Sequence, residues 1–401
     1  MKTTKMQKGI TLIALIITII ILLILAIVAI GSIKNSNIIT YAQNSSIDYN
    51  REKDEEESTI SGYEAVIESN LPETTKIETI TMSEAQQDSM LTKEVNSITY
   101  DLYGNKIVIP AGFKILVGID KTGYTVDDIN VTKGIVIQDI EGNEFVWIPV
   151  GENIKNEDKT AEIKLSRYTF NSSTGKETNI EDSVIDGCQE LESSTKGNAT
   201  AKDLSRFLSS VNTNKGYYIA RYEAGITGFD SSNITTSNSN GEISWTGYIA
   251  ENGKKLKLVS KYNQQVWNYV TQNKAAELCK NMYPENANYT SDLINSYAWD
   301  TAIVFIQTFE TDASNYSMLN QSKKFGYTGE NNLDQYCNIY DMSGNANEWS
   351  TETTNDFNNP AVYRGGDFFS GAGNFTSYRG NFLNDFTISV HSFRPIIYIE
   401  N

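Results

Sequence analysis

An α+β fold is predicted for this chain: an N-terminal transmembrane helix, then a domain of small antiparallel sheets, two helices and much irregular structure. Three observations predict it. Residues 10–30 form an uncharged apolar run of 21 residues, long enough to cross a hydrocarbon core as a helix. A turn-then-strand pattern occurs twice, starting at Asp101 and again 38 residues later at Asp139. Two later stretches carry apolar residues at helical spacing, whereas the C-terminal part is rich in Gly, Asn and aromatics without a sustained period.

The elements follow in order. Lys2, Lys5 and Lys8 precede the apolar run, so the positive-inside rule keeps the N-terminus in the cytoplasm and sends everything after Gly31 outside. The membrane is the first expected partner, and the large domain is expected to be extracellular. A secretory signal peptide is the other reading, but its apolar region is shorter and ends in small residues at alternate positions, which AIVAIGS fits poorly. The stretch KGITLIAL from Lys8 resembles the type IV prepilin leader. That resemblance implies a basic leader over residues 1–9, cleavage between Gly9 and Ile10 by a prepilin peptidase, and pilus or secretion subunits as further partners. Pilins carry Glu at the fifth position after the cut; here it is Ala14, so the helix either polymerises without that carboxylate or only anchors the protein.

Residues 31–97 are polar and acidic, with REKDEEESTISGYEAVIES from Arg51, and read either as a helical stalk or as a solvated linker. Residues 98–132 are expected to form a small β subdomain. In both Asp101-Leu-Tyr-Gly-Asn105 and Asp139-Ile-Glu-Gly-Asn143 the Asp-x-x-Gly-Asn supplies turn chemistry, and the apolar run that follows is stopped by proline. With GIVIQDI ahead of the second turn, residues 134–150 read as a hairpin. The main head is expected over residues 133–401, with strands at GYYIARYEAG from Gly216 and KLKLVS from Lys255. Helices are expected over residues 266–283, where Val270, Ala275, Leu278 and Met282 recur near helical spacing, and over residues 291–309 with Ser291 as the N-cap candidate.

Composition excludes several functions. With 33 Lys+Arg against 50 Asp+Glu, the formal charge is −17, and no basic stripe offers itself to phosphates, so nucleic acid is not an expected partner. Three cysteines without a CxxC, and one histidine, exclude zinc ribbons and His-based metal sites. Cys279 and Cys337 are read either as a disulfide or as free buried thiols, with Cys188 unpaired.

Six stretches occur in the order of one family: FVWIPVG at Phe145, GYYIARYEAG at Gly216, VWNYVTQNKAAELCKNM at Val266, NIYDMSGNANEWSTE at Asn338, YRGGDF at Tyr363 and SFRPIIY at Ser392. Together they resemble the formylglycine-generating enzyme, or sulfatase-modifying factor, superfamily, whose fold is similar to that of C-type lectins. In their own right, Asp341, Gly344, Ala346 and Glu348 place two carboxylates around a Gly-Asn turn, a hard oxygen set that suits calcium; an Asx-turn with Glu348 exposed is the other reading. The resemblance implies a structural calcium at those same four positions. It also implies a Cu(I) site of two cysteines between the RGG and FR motifs, but no cysteine lies between Arg364 and Arg394. Copper is therefore not expected. Tyr363, Arg364, Arg394 and His391 are read as structural.

Residues 367–390, DFFSGAGNFTSYRGNFLNDFTISV, mix aromatics with Asn, Ser, Asp and Gly, a composition that supplies rigid contact area and adaptable hydrogen bonds. The resemblance implies that this region lines a ligand-binding face, with Ser370, Asn374, Thr376, Tyr378, Asn381, Asn384 and Asp385 as candidates; an irregular loop completing the core is the other reading. The expected protein is thus a bacterial surface-anchored or pilin-like protein whose non-catalytic head binds an extracellular ligand. Two alternatives stand beside it: an enzyme of the same superfamily with a non-cysteine site, and a minor pilin or type II secretion pseudopilin whose head binds partner subunits.

Overall fold

A computed structural model describes residues 98–102, 105–116, 118–119, 125–126, 131–156, 159–180, 184–194, 197–231, 248, 250–283, 288–310, 312–321, 325–369 and 374–400. The chain divides into two units, Met1–Thr81 and Met82–Asn401, and all described residues belong to the second. The leader with Gly9 and Ile10, the apolar run and the acidic segment lie outside the described residues. Among the described residues no helix is long and apolar enough to cross a membrane, which corrects the expected fold class: the described fold contains no transmembrane helix. Its remainder differs too, since β-strands dominate and three α-helices occur, not two.

Two sheets carry the architecture. Their strands, in chain order, are β1 (Phe113–Ile115), β2 (Ile135–Asp139), β3 (Glu144–Pro149), β4 (Cys188–Gln189), β5 (Gly216–Ala220), β6 (Tyr289–Leu293), β7 (Asn347–Thr354), β8 (Ala361–Arg364), β9 (Arg379–Phe382), β10 (His391–Phe393) and β11 (Pro395–Ile399). The larger sheet runs β6-β11-β5-β3-β2-β1, all antiparallel. The smaller runs β4-β7-β8-β9, with β10 joining β7 in parallel. Continuous apolar runs explain the larger sheet: Phe145, Val146, Trp147 and Ile148 on β3 pair with Ala220, Ile219, Tyr218 and Tyr217 on β5, all at most 2% exposed. Burying each such side chain contributes roughly 1.5–3 kcal/mol.

The hairpin over residues 134–150 forms as its turn chemistry directs. Asp139 accepts from the Asn143 backbone N–H at 2.7 Å and from its side-chain amide at 2.8 Å, while Gly142 adopts φ +86°. The first copy of the pattern also pairs, Ile98–Leu102 against Asn105–Ile109. Ile107, Val108 and Ile109 join the principal core, the Val108 carbonyl accepts from Tyr218 Oη at 2.9 Å, and β1 is the edge strand of the larger sheet.

The helices begin later than periodicity suggested. Helix α1 (Leu204–Asn214) was not anticipated; Asp203 caps it and Leu204, Phe207 and Val211 bury one stripe. Helix α2 (Gln272–Lys280) starts at a Thr271 cap, because Gln265–Val266 pairs as a strand and Tyr269 takes φ +56°. Helix α3 (Ser296–Phe309) is capped by Asn295, since Ser291 is committed to β6. Strand pairing consumed the first turn of both expected helices. Helix α3 is buried on nearly every side, Asp300 included.

Candidate functional site

Asp300 is the unexpected residue in an apolar helix, and its charge organises the smaller sheet. Arg364, at the end of β8, binds Asp300 through Nη2 at 2.6 Å and Glu352 of β7 through Nη1 at 3.3 Å. Arg379, on β9, donates to Glu352 through Nε at 2.9 Å and also pairs with Asp300. Arg167 adds a third guanidinium on Glu352 and reaches the Cys188 carbonyl at 2.9 Å. All five side chains are at most 4% exposed. Burial alone would raise the Glu352 carboxyl, but Arg379, Arg364 and Arg167 outweigh it and hold it down at about 2. Nearby Glu190 goes the other way: burial and then the Glu352 charge push it up to about 7.

A second charged centre surrounds Arg394. Its guanidinium donates to both oxygens of Glu348, Nε to Oε2 at 2.8 Å, and to the carbonyls of Ala220 and Tyr340 at 2.8 Å. Asp341 accepts from the Gly329 N–H at 2.7 Å, and Asn345 donates to Glu223 Oε1. Glu223 Oε2 is buried without a hydrogen-bond partner. Burial, followed by Asp341 and Glu348, pushes the Glu223 carboxyl well up; burial, with Glu348 adding to it against Arg394, brings Asp341 up to about 7.

Of the residues expected to hold calcium, Asp341, Gly344, Ala346 and Glu348, the last is paired with Arg394 in the described structure. Both Glu348 oxygens are taken by a guanidinium, and among the described residues no group of three or more His, Cys, Asp or Glu side chains is placed to hold a metal ion. The other reading, an Asx-turn with Glu348 exposed, is corrected, since Glu348 is 0% exposed.

Two of the sequence motifs prove to be one contact. A Cβ on Gly365 (φ +84°) would lie 2.6 Å from the Met342 carbonyl oxygen, and one on Gly366 would lie 2.3 Å from that of Ser343. Only glycine lets the YRGGDF backbone lie directly on the YDMSGN loop. Asp367, which follows, is a fully buried hub. It accepts from the side-chain amides of Asn347 and Asn374 at 2.7 and 2.9 Å and from the Phe369 N–H at 2.6 Å.

That hub decides where the ligand-binding candidates stand. Asn374 and Thr376 are buried, and Thr376 contributes its carbonyl to Trp299 Nε1 at 2.8 Å. Tyr378 is half-buried, and its carbonyl accepts from Arg364 Nε at 3.0 Å. Asn381 and Asp385 are exposed and Asn384 is half-exposed, while Ser370 lies outside the described residues. Asn381 donates to the Asn359 carbonyl at 3.2 Å, tying β9 to the loop that carries Phe357. Among the described residues Phe357 and Phe369 are the most exposed large hydrophobics, each 81% exposed, and within residues 374–390 Leu383 is 40% and Phe375 38% exposed. The sequence left open whether the aromatics of residues 367–390 offer contact area or complete the core; Phe369 and Phe375 are exposed.

His391 sits among Tyr363, Trp349 and Phe382, with ring centroids at 4.4, 4.5 and 5.8 Å. Its Nδ1 is buried without a partner, and burial pulls the imidazole down to about 3. Cys188, Cys279 and Cys337 are free and buried, which decides between the two readings of the thiols. Burial pushes the Cys188 thiol up to about 12.

No family model matches the chain. No curated protein matches it either. Among solved structures, CarF is similar at 14% identity and a TM-score of 0.29, over 46% of this chain and 87% of that one. Variable protein 1 of Treponema denticola is similar at 12% identity and a TM-score of 0.32, over 64% of this chain and 96% of that one. Likenesses at this level transfer neither fold nor function.

Proposed function

We propose that the described unit is a non-catalytic recognition module of a bacterial surface protein, which binds an extracellular ligand through the face carrying Phe369, Phe375, Asn381, Leu383 and Asp385. One contrast within the described residues 367–369 and 374–390 carries the reading. Backbone and inward side chains are locked by Asp367, Arg364 and Arg379, while two phenylalanines, an amide and a carboxylate project outward. A face ordered before binding loses little entropy on binding, and exposed aromatics beside adaptable polar groups suit recognition. Large solvent-facing Phe side chains have no role in the core to explain them.

The finer kinship, to the formylglycine-generating enzyme superfamily, belongs to the same proposal. Its support is the joint burial of the motif residues: Met342 and Ser343 against Gly365 and Gly366, and Glu348 against Arg394. The lack of cysteine between Arg364 and Arg394 favours binding over copper oxidase chemistry.

The test is to present the intact chain to a printed array of extracellular proteins and glycans. Binding that Phe369→Ser with Asp385→Ala abolishes, while thermal unfolding stays unchanged, supports the proposal. Sustained oxygen consumption with a thiol-containing peptide would replace it with the enzyme reading.

A further inference from the structure

A cleft of about 720 Å³ opens between the C-terminal end of α1, the end of β3 and the hairpin formed by Gly151–Asn156 and Lys159–Ile163. Its volume is that of a small-molecule site. None of its lining residues falls within residues 367–390, so it stands or falls independently of the face described above.

The cleft is built, not incidental. Lys215 caps α1 in the left-handed conformation at φ +60°, and its carbonyl accepts from the Val150 N–H at 2.9 Å, which joins the helix end to the end of β3. Val150, Ile154 and Ile163, each at most 5% exposed, supply an aliphatic floor. Trp147 lines it as well; the residue is 2% exposed, and among the described residues its indole N–H has no hydrogen-bond partner.

The rim is polar and locally positive. Lys106, Lys164 and Lys215 outnumber Glu152 and Glu162 there, in a chain whose net charge is −17. Lys164 and Glu162 pair with each other at 3.5 Å. That leaves Lys106, Lys215, Glu152 and Asn153 without partners among the described residues.

We infer that this cleft binds a carboxylated saccharide of one or two rings, with Lys106 and Lys215 taking the carboxylate and Glu152, Asn153 and the Trp147 N–H taking hydroxyls. Sugar hydroxyls donate and accept at once, which matches a rim holding unengaged donors and an unengaged carboxylate acceptor. The aliphatic floor suits the C–H face of a pyranose. Inorganic phosphate has no C–H face to cover the aliphatic floor of Val150, Ile154 and Ile163.

The experiment uses the intact chain and ligand-observed NMR, with D-glucuronate, D-glucose, inorganic phosphate and N-acetylglutamate as probes. Glucuronate is expected to bind saturably and more tightly than the other three. Lys106→Gln with Lys215→Gln is expected to weaken it about tenfold, by removing two charge-assisted bonds, with thermal unfolding unchanged because both side chains are exposed. Phe369→Ser should leave glucuronate binding intact. The inference is overturned if glucuronate does not saturate, if phosphate or N-acetylglutamate competes equally, or if the double lysine variant binds like the parent.

Discussion

Arg394 grips Glu348 with both ends of its guanidinium, Nε to Oε2 at 2.8 Å and Nη2 to Oε1, at a point where both side chains are 0% exposed. The pair joins the loop before β11 to β7, and the same guanidinium reaches the carbonyls of Ala220 and Tyr340. One cation thus ties the two sheets together.

Removing that cation alone leaves a buried carboxylate unpaired. Arg394→Met is expected to cost about 3–5 kcal/mol in urea unfolding, and Arg394→Met with Glu348→Leu to cost less than the sum of the single changes. Additive costs would show that the two residues are not coupled.

Stability should fall as pH rises from 5 to 8. Burial holds Asp341 at about 7, Glu190 at about 7 and Asp292 at about 6, so the folded chain keeps protons that the unfolded chain releases near pH 4. Their contribution is complete below that pH and is lost as pH climbs through 6 to 7. Glu352 has the opposite sign: held at about 2, it withdraws its contribution as pH drops below about 4. A melting temperature higher at pH 5 than at pH 8, with a shallower slope in Asp341→Asn, is the expected result.

The chain holds one histidine, so its imidazole can be followed without assignment. Burial keeps His391 at about 3, and its NMR signal is expected not to titrate between pH 5 and 8. His391→Phe removes a buried nitrogen that has no partner and should stabilise the protein by about 1 kcal/mol. Titration near pH 6.5 would mean that the ring is open to water.

All three thiols are free and buried. Native protein should therefore react slowly with an aromatic disulfide reagent, and denatured protein should give three equivalents without reductant. One equivalent would reveal a disulfide.

Local turn chemistry was readable because it acts within a few residues. Asp139, Gly142 and Asn143 dictate their hairpin wherever it lies, and Asp203 with Leu204, Phe207 and Val211 carries a full helix signature that was present and overlooked. The N-terminal turns of α2 and α3 were misjudged for the reverse reason. Residues 265–266 and 289–293 pair with strands distant in sequence, and such pairing overrides local helical spacing.

Charge balance and exposure were beyond the reach of sequence. The sequence alone argued against a basic nucleic-acid surface, with 33 Lys+Arg against 50 Asp+Glu, and against a copper pair, with no cysteine between Arg364 and Arg394. Whether Glu348 pairs with Arg394, whether Asn374 is buried while Phe369 is exposed, and whether Lys106 and Lys215 line one cleft all depend on contacts between residues far apart in the chain. Sequence sets which groups are available; the energy of burying a charge depends on what stands next to it, and only the folded chain chooses that neighbour.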